Sequence, residues 1–375
     1  MNELILQRAA PVAGIVGLAG LAGCAFGLFL APMQVAAAWW TAALFILGLP
    51  LGAIALLMIH VLTGGDWGRA LRPWLRTIAA TLPVALAMML PLLLALHPVF
   101  AWAHLPAEEL PEKVQLKLAY LNVPFFLLRA ASCAVAWLWL WSLAMSISSD
   151  GAKSRPSARR GRWAAVGLVI YGLSVLMFSV DWMLALEPQF VSTVYGMIET
   201  SGQMSGALAL ATLLMSLGLT ESIPQGGKRG VLITEDTCNM LFGFVLGWVY
   251  LVYMQYLIVW AADLPDEIHW YVARGKNGWQ IATWVMVACH AVAVTAFLSR
   301  GLKRSRNAVA VLAAVVLAGH ALDVVWRVRP AFSETSLHYA WIDVAAFAAL
   351  CGLLLAAAGS PRLIDRLASR APING

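Results

Sequence analysis

The chain has 375 residues, of which 61% are hydrophobic and 12% are charged, and its formal net charge is +6. Soluble domains have about 25% charged residues on average, so this composition excludes an ordinary soluble enzyme and a disordered chain. The basic residues are scattered over short segments between apolar runs, which argues against a nucleic-acid-binding surface.

Ten apolar runs are long enough to cross a bilayer as helices, since a bilayer core requires about 20 residues per helix. In chain order they are 11–30, 35–63, 74–96, 123–148, 163–185, 200–218, 237–261, 279–299, 307–326 and 339–357. The longest connection, 97–122, is too short for a soluble domain. The sequence therefore predicts an all-α polytopic membrane protein with about ten transmembrane helices.

The orientation follows from the distribution of Lys and Arg. Of the basic residues, 18 lie at the two ends of the chain, in the connections on their side and at the start of the third run. The opposite connections hold 6. Because basic residues concentrate on the cytoplasmic side, we expect both termini to be cytoplasmic. The opposite side is called the predicted periplasmic side, and the bacterial inner membrane is the predicted location.

The first run allows a second interpretation. Leu21–Cys24 matches a lipoprotein cleavage box, and cleavage there would leave nine helices and a lipidated Cys24. The apolar run continues past the cysteine to Leu30, as expected of an intact helix, and we expect the intact helix.

Ionisable residues inside the runs are candidate functional groups, since their burial in a membrane is costly. Arg129 and Asp181 lie at similar depths on consecutive antiparallel helices, which predicts an ion pair, functional or purely structural. His320 and Asp323 share one helix face. They are the candidate proton acceptor and its orienting carboxylate.

Further candidates for proton acceptance or relay are Asp181, Glu187, Asp343 and His290. Most of these groups lie toward the predicted periplasmic side. The alternative for each is a packing or structural role, such as an ion pair that fixes two helices.

No redox centre is expected on this chain. A transmembrane haem requires two histidines at matching depth, whereas His60, His290 and His320 lie at three depths. The five cysteines show no paired spacing and predict no disulfide, metal or iron–sulfur site.

Several segments together resemble the ActF-type membrane subunit of alternative complex III, within the NrfD/polysulfide-reductase membrane-subunit superfamily. They occur in family order over about residues 97–330. The matching segments are HPVFAWAH at His97–His104, KLAYLNVPFFLLR at Lys117–Arg129, DWMLALEP at Asp181–Pro188, STVYG at Ser192–Gly196, QYLIVW at Gln255–Trp260, DLPDEIHWY at Asp263–Tyr271 and HALDVVW at His320–Trp326. The chain departs from the family at Asp236–Met240, where Cys238 replaces an expected Gly.

The resemblance implies two four-helix bundles, formed by helices 2–5 and 6–9, with a flanking helix on each side. The corresponding divisions of the chain are 1–34, 35–185, 186–326 and 327–375. It also implies a quinol-oxidising respiratory complex in contact with membrane lipid, with menaquinone or ubiquinone as the quinone. The implied partners are a second NrfD-like membrane subunit, an iron–sulfur protein and c-type cytochrome subunits, without nucleic acid.

Within that interpretation Tyr253, Gln255 and Trp260 are candidate quinone-contacting residues. Two alternatives remain open, a purely structural membrane anchor and a proton-coupled secondary transporter. The transporter is less well supported, because prolines break spans in the first half of the chain without counterparts in the second.

Overall fold

The computed structural model describes residues 2–148, 158–217, 228–332 and 339–360. These residues form helices and turns and contain no strand. Ten long helices follow one another: α1 (Asn2–Leu30), α2 (Pro32–Thr63), α3 (Asp66–Val99), α4 (Val123–Ile147), α5 (Ala158–Trp182), α6 (Tyr195–Ser216), α7 (Lys228–Ala262), α8 (Trp279–Ala296), α9 (Arg306–Val328) and α10 (Ala340–Ala358).

The chain is an all-α polytopic membrane protein, as predicted. Among the described residues, nine of the ten helices are long and apolar enough to cross a membrane, and α6 is the exception. Helix α6 is 22 residues long and carries several polar side chains, including the buried Glu199 and Gln203. It is surrounded by α2, α3, α5, α7 and α9, so its polar groups face protein.

Proline and capping residues explain several helix boundaries. Helix α3 is interrupted after Ala80, and Pro83 and Pro91 each occupy the first turn of the segment that follows a break. Proline is tolerated there because the first turn does not use its missing amide hydrogen. Helix α4 begins after Asn122, whose Oδ1 accepts a hydrogen bond from the Phe125 amide at 3.0 Å.

Helix α2 is the centre of the molecule. Most of its residues are buried, including every residue from Trp40 to Met58. It packs against seven other long helices, α1, α3, α4, α5, α6, α9 and α10. Its contact with α6 is close because Gly52 has no side chain: a Cβ there would lie 2.5 Å from the carbonyl carbon of Gln203. Small residues allow such close approach between membrane helices.

The flanking helices α1 and α10 lie together rather than on opposite sides. They form the most extensive helix pair in the structure, and both contact α2. A Cβ at Gly352 would lie 2.6 Å from the carbonyl oxygen of Ala13. The expectation of one flanking helix on each side is therefore wrong, because glycines on both helices favour their direct packing.

The remaining helices contact one another within the two predicted groups, α2–α5 and α6–α9. The groups meet mainly through α6, which contacts α2, α3 and α5, and also where α2 contacts α9 and α3 contacts α7. The predicted division at 326/327 falls inside α9, which continues to Val328. This extension brings Arg327 into the helix and into the site described next.

Candidate functional site

Helices α6 and α9 bring two carboxylates to one guanidinium in the protein interior. Arg327 Nη2 lies 2.8 Å from Glu199 Oε2 and 2.7 Å from Asp323 Oδ2. Its Nε also donates to Asp323 Oδ1 at 3.1 Å. The three side chains are each no more than 2% exposed. Glu199, Asp323 and Arg327 are called the α6–α9 cluster below.

A hydrogen-bond chain extends this cluster toward the middle of the membrane. Gln203, one turn after Glu199 in α6, donates from Nε2 to Glu199 Oε1 at 2.9 Å. The Tyr171 hydroxyl of α5 donates to Gln203 Oε1 at 3.0 Å. Both residues are buried, so the chain runs through protein from Tyr171 to Arg327.

Three other arginines each pair with one carboxylate. Arg129 Nε lies 2.8 Å from Asp181 Oδ2. The other two pairs are Arg274 with Glu187 at 2.5 Å and Arg329 with Asp343 at 2.8 Å. Among the described ion pairs of the interior, Arg327 alone is shared by two carboxylates, which leaves the α6–α9 cluster with one more acid than base.

His320 lies beside the cluster but is not held by it. Its ring lies over Gly202 and Gly206 of α6, where an added Cβ would lie 3.0 Å and 2.5 Å away respectively. The ring is 5.5 Å from that of Phe45 and the residue is 2% exposed. Neither ring nitrogen has a hydrogen-bond partner in the part of the chain that the structure describes.

The predicted orientation of His320 by Asp323 is therefore wrong. Asp323 instead accepts two hydrogen bonds from Arg327, four residues further along α9. The two side chains are still close neighbours, because the Cβ position of Gly202 lies within 4 Å of both. Proton acceptance by His320 remains a prediction.

The predicted ion pair of Arg129 and Asp181 is present between α4 and α5. Both residues are buried. Arg129 Nη1 donates to the Tyr120 carbonyl at 3.0 Å, and its guanidinium lies 3.7 Å from the centre of the Tyr120 ring. Burial, with the neighbouring Asp181 carboxylate, raises the pKa of the Tyr120 hydroxyl to about 12, so this hydroxyl retains its proton at neutral pH.

A cavity of about 460 Å³ opens beside this ion pair on the predicted periplasmic side. Its walls are mainly apolar, and Tyr120, Lys117 and Ser192 contribute the polar groups. Lys117 Nζ donates to the Pro188 carbonyl at 2.7 Å, and burial lowers the pKa of its ammonium group. A volume in this range is typical of small-molecule sites.

Glu187 and Asp343 are held at the same end of the molecule. Arg274, which pairs with Glu187, is buried against the Trp270 ring at 3.5 Å and donates to the carbonyls of Trp326 and Arg327. The Glu187 side chain is 27% exposed, so it lies closer to the surface than the α6–α9 cluster. Asp343 pairs with Arg329 outside that cluster.

His290 lies near His320 on the neighbouring helix α8. Its ring stacks on Trp248 with centres 3.9 Å apart, and its Nδ1 donates to the Met286 carbonyl at 2.9 Å. A Cβ at Gly319 would lie 3.0 Å from the His290 ring. His290 therefore packs against the turn of α9 that contains His320.

The three candidate quinone-contacting residues do not come together. Gln255 is buried, accepts from Ser192 Oγ at 2.5 Å and donates to the Tyr271 hydroxyl at 3.0 Å. Tyr253 and Trp260 are 57% and 66% exposed. Because helix positions differ by about 100° per residue, these two share an exposed surface of α7 away from Gln255. Quinone contact by each of the three residues remains a prediction.

Sequence reasoning misses Glu199 and Arg327 because it places them in connections, Glu199 before the sixth run and Arg327 after the ninth. Gln203 lies inside the sixth run, but it is not ionisable and is therefore not a candidate. Continued i, i+4 spacing is the available signal, since Glu199 precedes Gln203 by four residues and Asp323 precedes Arg327 by four.

No group of three or more metal-ligating side chains occurs within the described ranges. The chain matches no protein-family model and no curated protein.

Proposed function

We propose that this chain is the integral membrane subunit of a quinol-oxidising respiratory complex of the bacterial inner membrane. Its role is to interact with quinol and to accept and release protons on the predicted periplasmic side. Electrons pass to iron–sulfur and c-type cytochrome partners, beside a second NrfD-like membrane subunit. The observation that carries the proposal is the buried α6–α9 cluster with its surplus carboxylate.

The surplus carboxylate gives the cluster the capacity to hold one proton. An uncompensated charge in a low-dielectric interior is costly, and one added proton on Glu199, Asp323 or the adjacent His320 makes the group neutral. Release of that proton restores the negative charge. A group that alternates between these two states is what a quinol-oxidising site requires, because each quinol yields two protons with its two electrons.

The cavity beside Tyr120 is the proposed place for the quinol headgroup. Its apolar walls suit a lipid-soluble ring, and Tyr120, which lines the cavity, also packs against the Arg129 guanidinium. The Tyr120 hydroxyl donates a hydrogen bond to the Asp181 carboxylate, which links the wall of the cavity to that carboxylate. Asp181 and Glu187 are the proposed exit carboxylates, in line with their position toward the predicted periplasmic side.

The proposal is tested by isolating the chain with its partners. The tagged chain is extracted in mild detergent, co-purifying proteins are identified, and a reduced-minus-oxidised spectrum is recorded with added quinol. We expect cytochrome bands that are reduced by quinol and an iron–sulfur protein among the partners. A lone, colourless chain would overturn the proposal.

A variant separates proton handling from a purely structural role. His320→Gln removes a side chain whose ring nitrogens make no hydrogen bond to the described residues, so assembly is expected to survive. Turnover per assembled complex is expected to fall at least tenfold. This minimum is conservative, because general acid–base groups usually contribute about a hundredfold or more. Unchanged turnover per assembled complex would favour the structural-anchor alternative.

A further inference from the structure

Two exposed histidines lie next to each other at the end of α3 on the predicted periplasmic side. His97 and His104 have ring centres 5.7 Å apart, with their planes inclined by 39°. Both residues are exposed. They belong to the HPVFAWAH segment, which the proposed proton chemistry does not use.

The backbone fixes the tautomer of His104. Its Nδ1 lies 2.9 Å from the carbonyl oxygens of both His97 and Phe100. Since a carbonyl only accepts, Nδ1 carries the hydrogen and the neutral ring presents a lone pair at Nε2. Metal-binding histidines have this arrangement, in which a hydrogen bond from one nitrogen orients the other toward the ion.

The segment between the two histidines is anchored. Trp102 is buried, donates from Nε1 to the Ala185 carbonyl at 3.1 Å and stacks on Phe100 with ring centres 4.6 Å apart. The two imidazoles are therefore held on a fixed scaffold rather than on a free loop.

The ring separation fits one shared metal ion. A zinc–nitrogen distance of about 2.0–2.1 Å places the ion about 3.2 Å from an imidazole centre. Two rings on one ion then have centres about 5.2 Å apart at a tetrahedral angle and about 6.4 Å apart when opposed. The observed 5.7 Å lies between these limits.

We infer that His97 and His104 form a surface site for a divalent metal ion that prefers imidazole ligands, such as zinc or copper. The two nitrogens leave coordination positions for water, because no third protein ligand accompanies them in the described ranges. This inference is independent of the proposed function.

Copper(II) titration of the purified full chain tests the site. The chain carries a tag without histidine, is treated with a chelator, and is followed by electron paramagnetic resonance. We expect one bound copper with hyperfine coupling to two imidazole nitrogens, displaced by zinc. His97→Ala and His104→Ala are each expected to weaken binding about tenfold or more, by analogy with the cost of disturbing metal-site residues.

His269→Ala is the matched control, since His269 is exposed on the same predicted side. It is expected to bind copper like the unaltered chain. A zinc-dependent rise in melting temperature, lost in the double variant but kept in His269→Ala, provides a second readout that follows from ligand linkage. Equal binding by the double variant, coupling to a single nitrogen, or no binding would overturn the inference.

Discussion

Replacing Arg327 by Gln removes the guanidinium that contacts both carboxylates of the α6–α9 cluster. Breaking a buried ion pair by removing one partner costs about 3–5 kcal/mol. Arg327→Gln is expected near the upper end, because it leaves Glu199 and Asp323 together without a counter-charge. Arg329→Gln is expected near the lower end, because it leaves one carboxylate whose side chain is 19% exposed.

The surplus carboxylate predicts that the effect of a second substitution changes sign. In the unaltered chain, Glu199→Gln leaves Arg327 paired with Asp323, and the introduced amide oxygen still accepts from Gln203. The amide NH2 then lies against Arg327 Nη2, another donor, so the cost is expected to be about 1–3 kcal/mol. In the Arg327→Gln background the same change removes an unpaired buried charge. There it is expected to restore about 1–3 kcal/mol of stability.

Unfolding by sodium dodecyl sulfate in mixed micelles, at a pH where exposed carboxylates are ionised, measures all four members of this cycle. Helix content from circular dichroism gives the folded fraction. Equal costs for Arg327→Gln and Arg329→Gln, together with a destabilising Glu199→Gln in both backgrounds, would refute the shared-arginine reasoning.

Three further predictions concern local contacts. Gly206→Ala places a Cβ 2.5 Å from the His320 ring and should lower the free energy of unfolding by about 1–3 kcal/mol. Gly172→Ala, whose Cβ meets open space on α5, should raise it by up to about 1 kcal/mol, and equal effects of the two in thermal unfolding would contradict this. Asn122→Ala removes the cap of α4 and should cost about 1 kcal/mol in the same assay, so an unchanged midpoint would argue against the cap. Burial raises the pKa of Tyr271 from 10.0 to about 12, so the protonated hydroxyl contributes fully to folding stability below pH 10 and this contribution is lost as pH rises through 12. Tyr271→Phe should reduce the loss of stability at alkaline pH in unfolding measured across pH, and a profile identical to that of the unaltered chain would contradict this.

Length and hydropathy are sufficient to predict the membrane-spanning helices, because an apolar run of about 20 residues has few other stable environments. Depth along consecutive antiparallel helices is sufficient to predict the Arg129–Asp181 pair. Both arguments use only distance along the chain, which the sequence supplies directly.

The α6–α9 cluster requires knowledge that sequence does not supply. Glu199 and Arg327 lie 128 positions apart in the chain, and they meet because α6 packs against α9. Polar residues near a span end also resemble loop residues in a hydropathy scan, although here neighbouring helices bury them. The sequence identifies His320 and Asp323 as candidates, but it does not reveal the competition of Arg327 for Asp323.

Quinol oxidation by complexes containing Glu199→Gln tests whether the α6–α9 cluster handles the protons of quinol. The substitution removes the surplus carboxylate while Arg327 keeps its partner Asp323, and Glu235→Gln is the matched control, a carboxylate that pairs with Arg304 outside the cluster. Proton release is followed with a pH indicator during a single turnover, at equal amounts of assembled complex. We predict at least a tenfold slower release in Glu199→Gln and an unchanged rate in Glu235→Gln. Equal rates in the two variants would contradict this prediction.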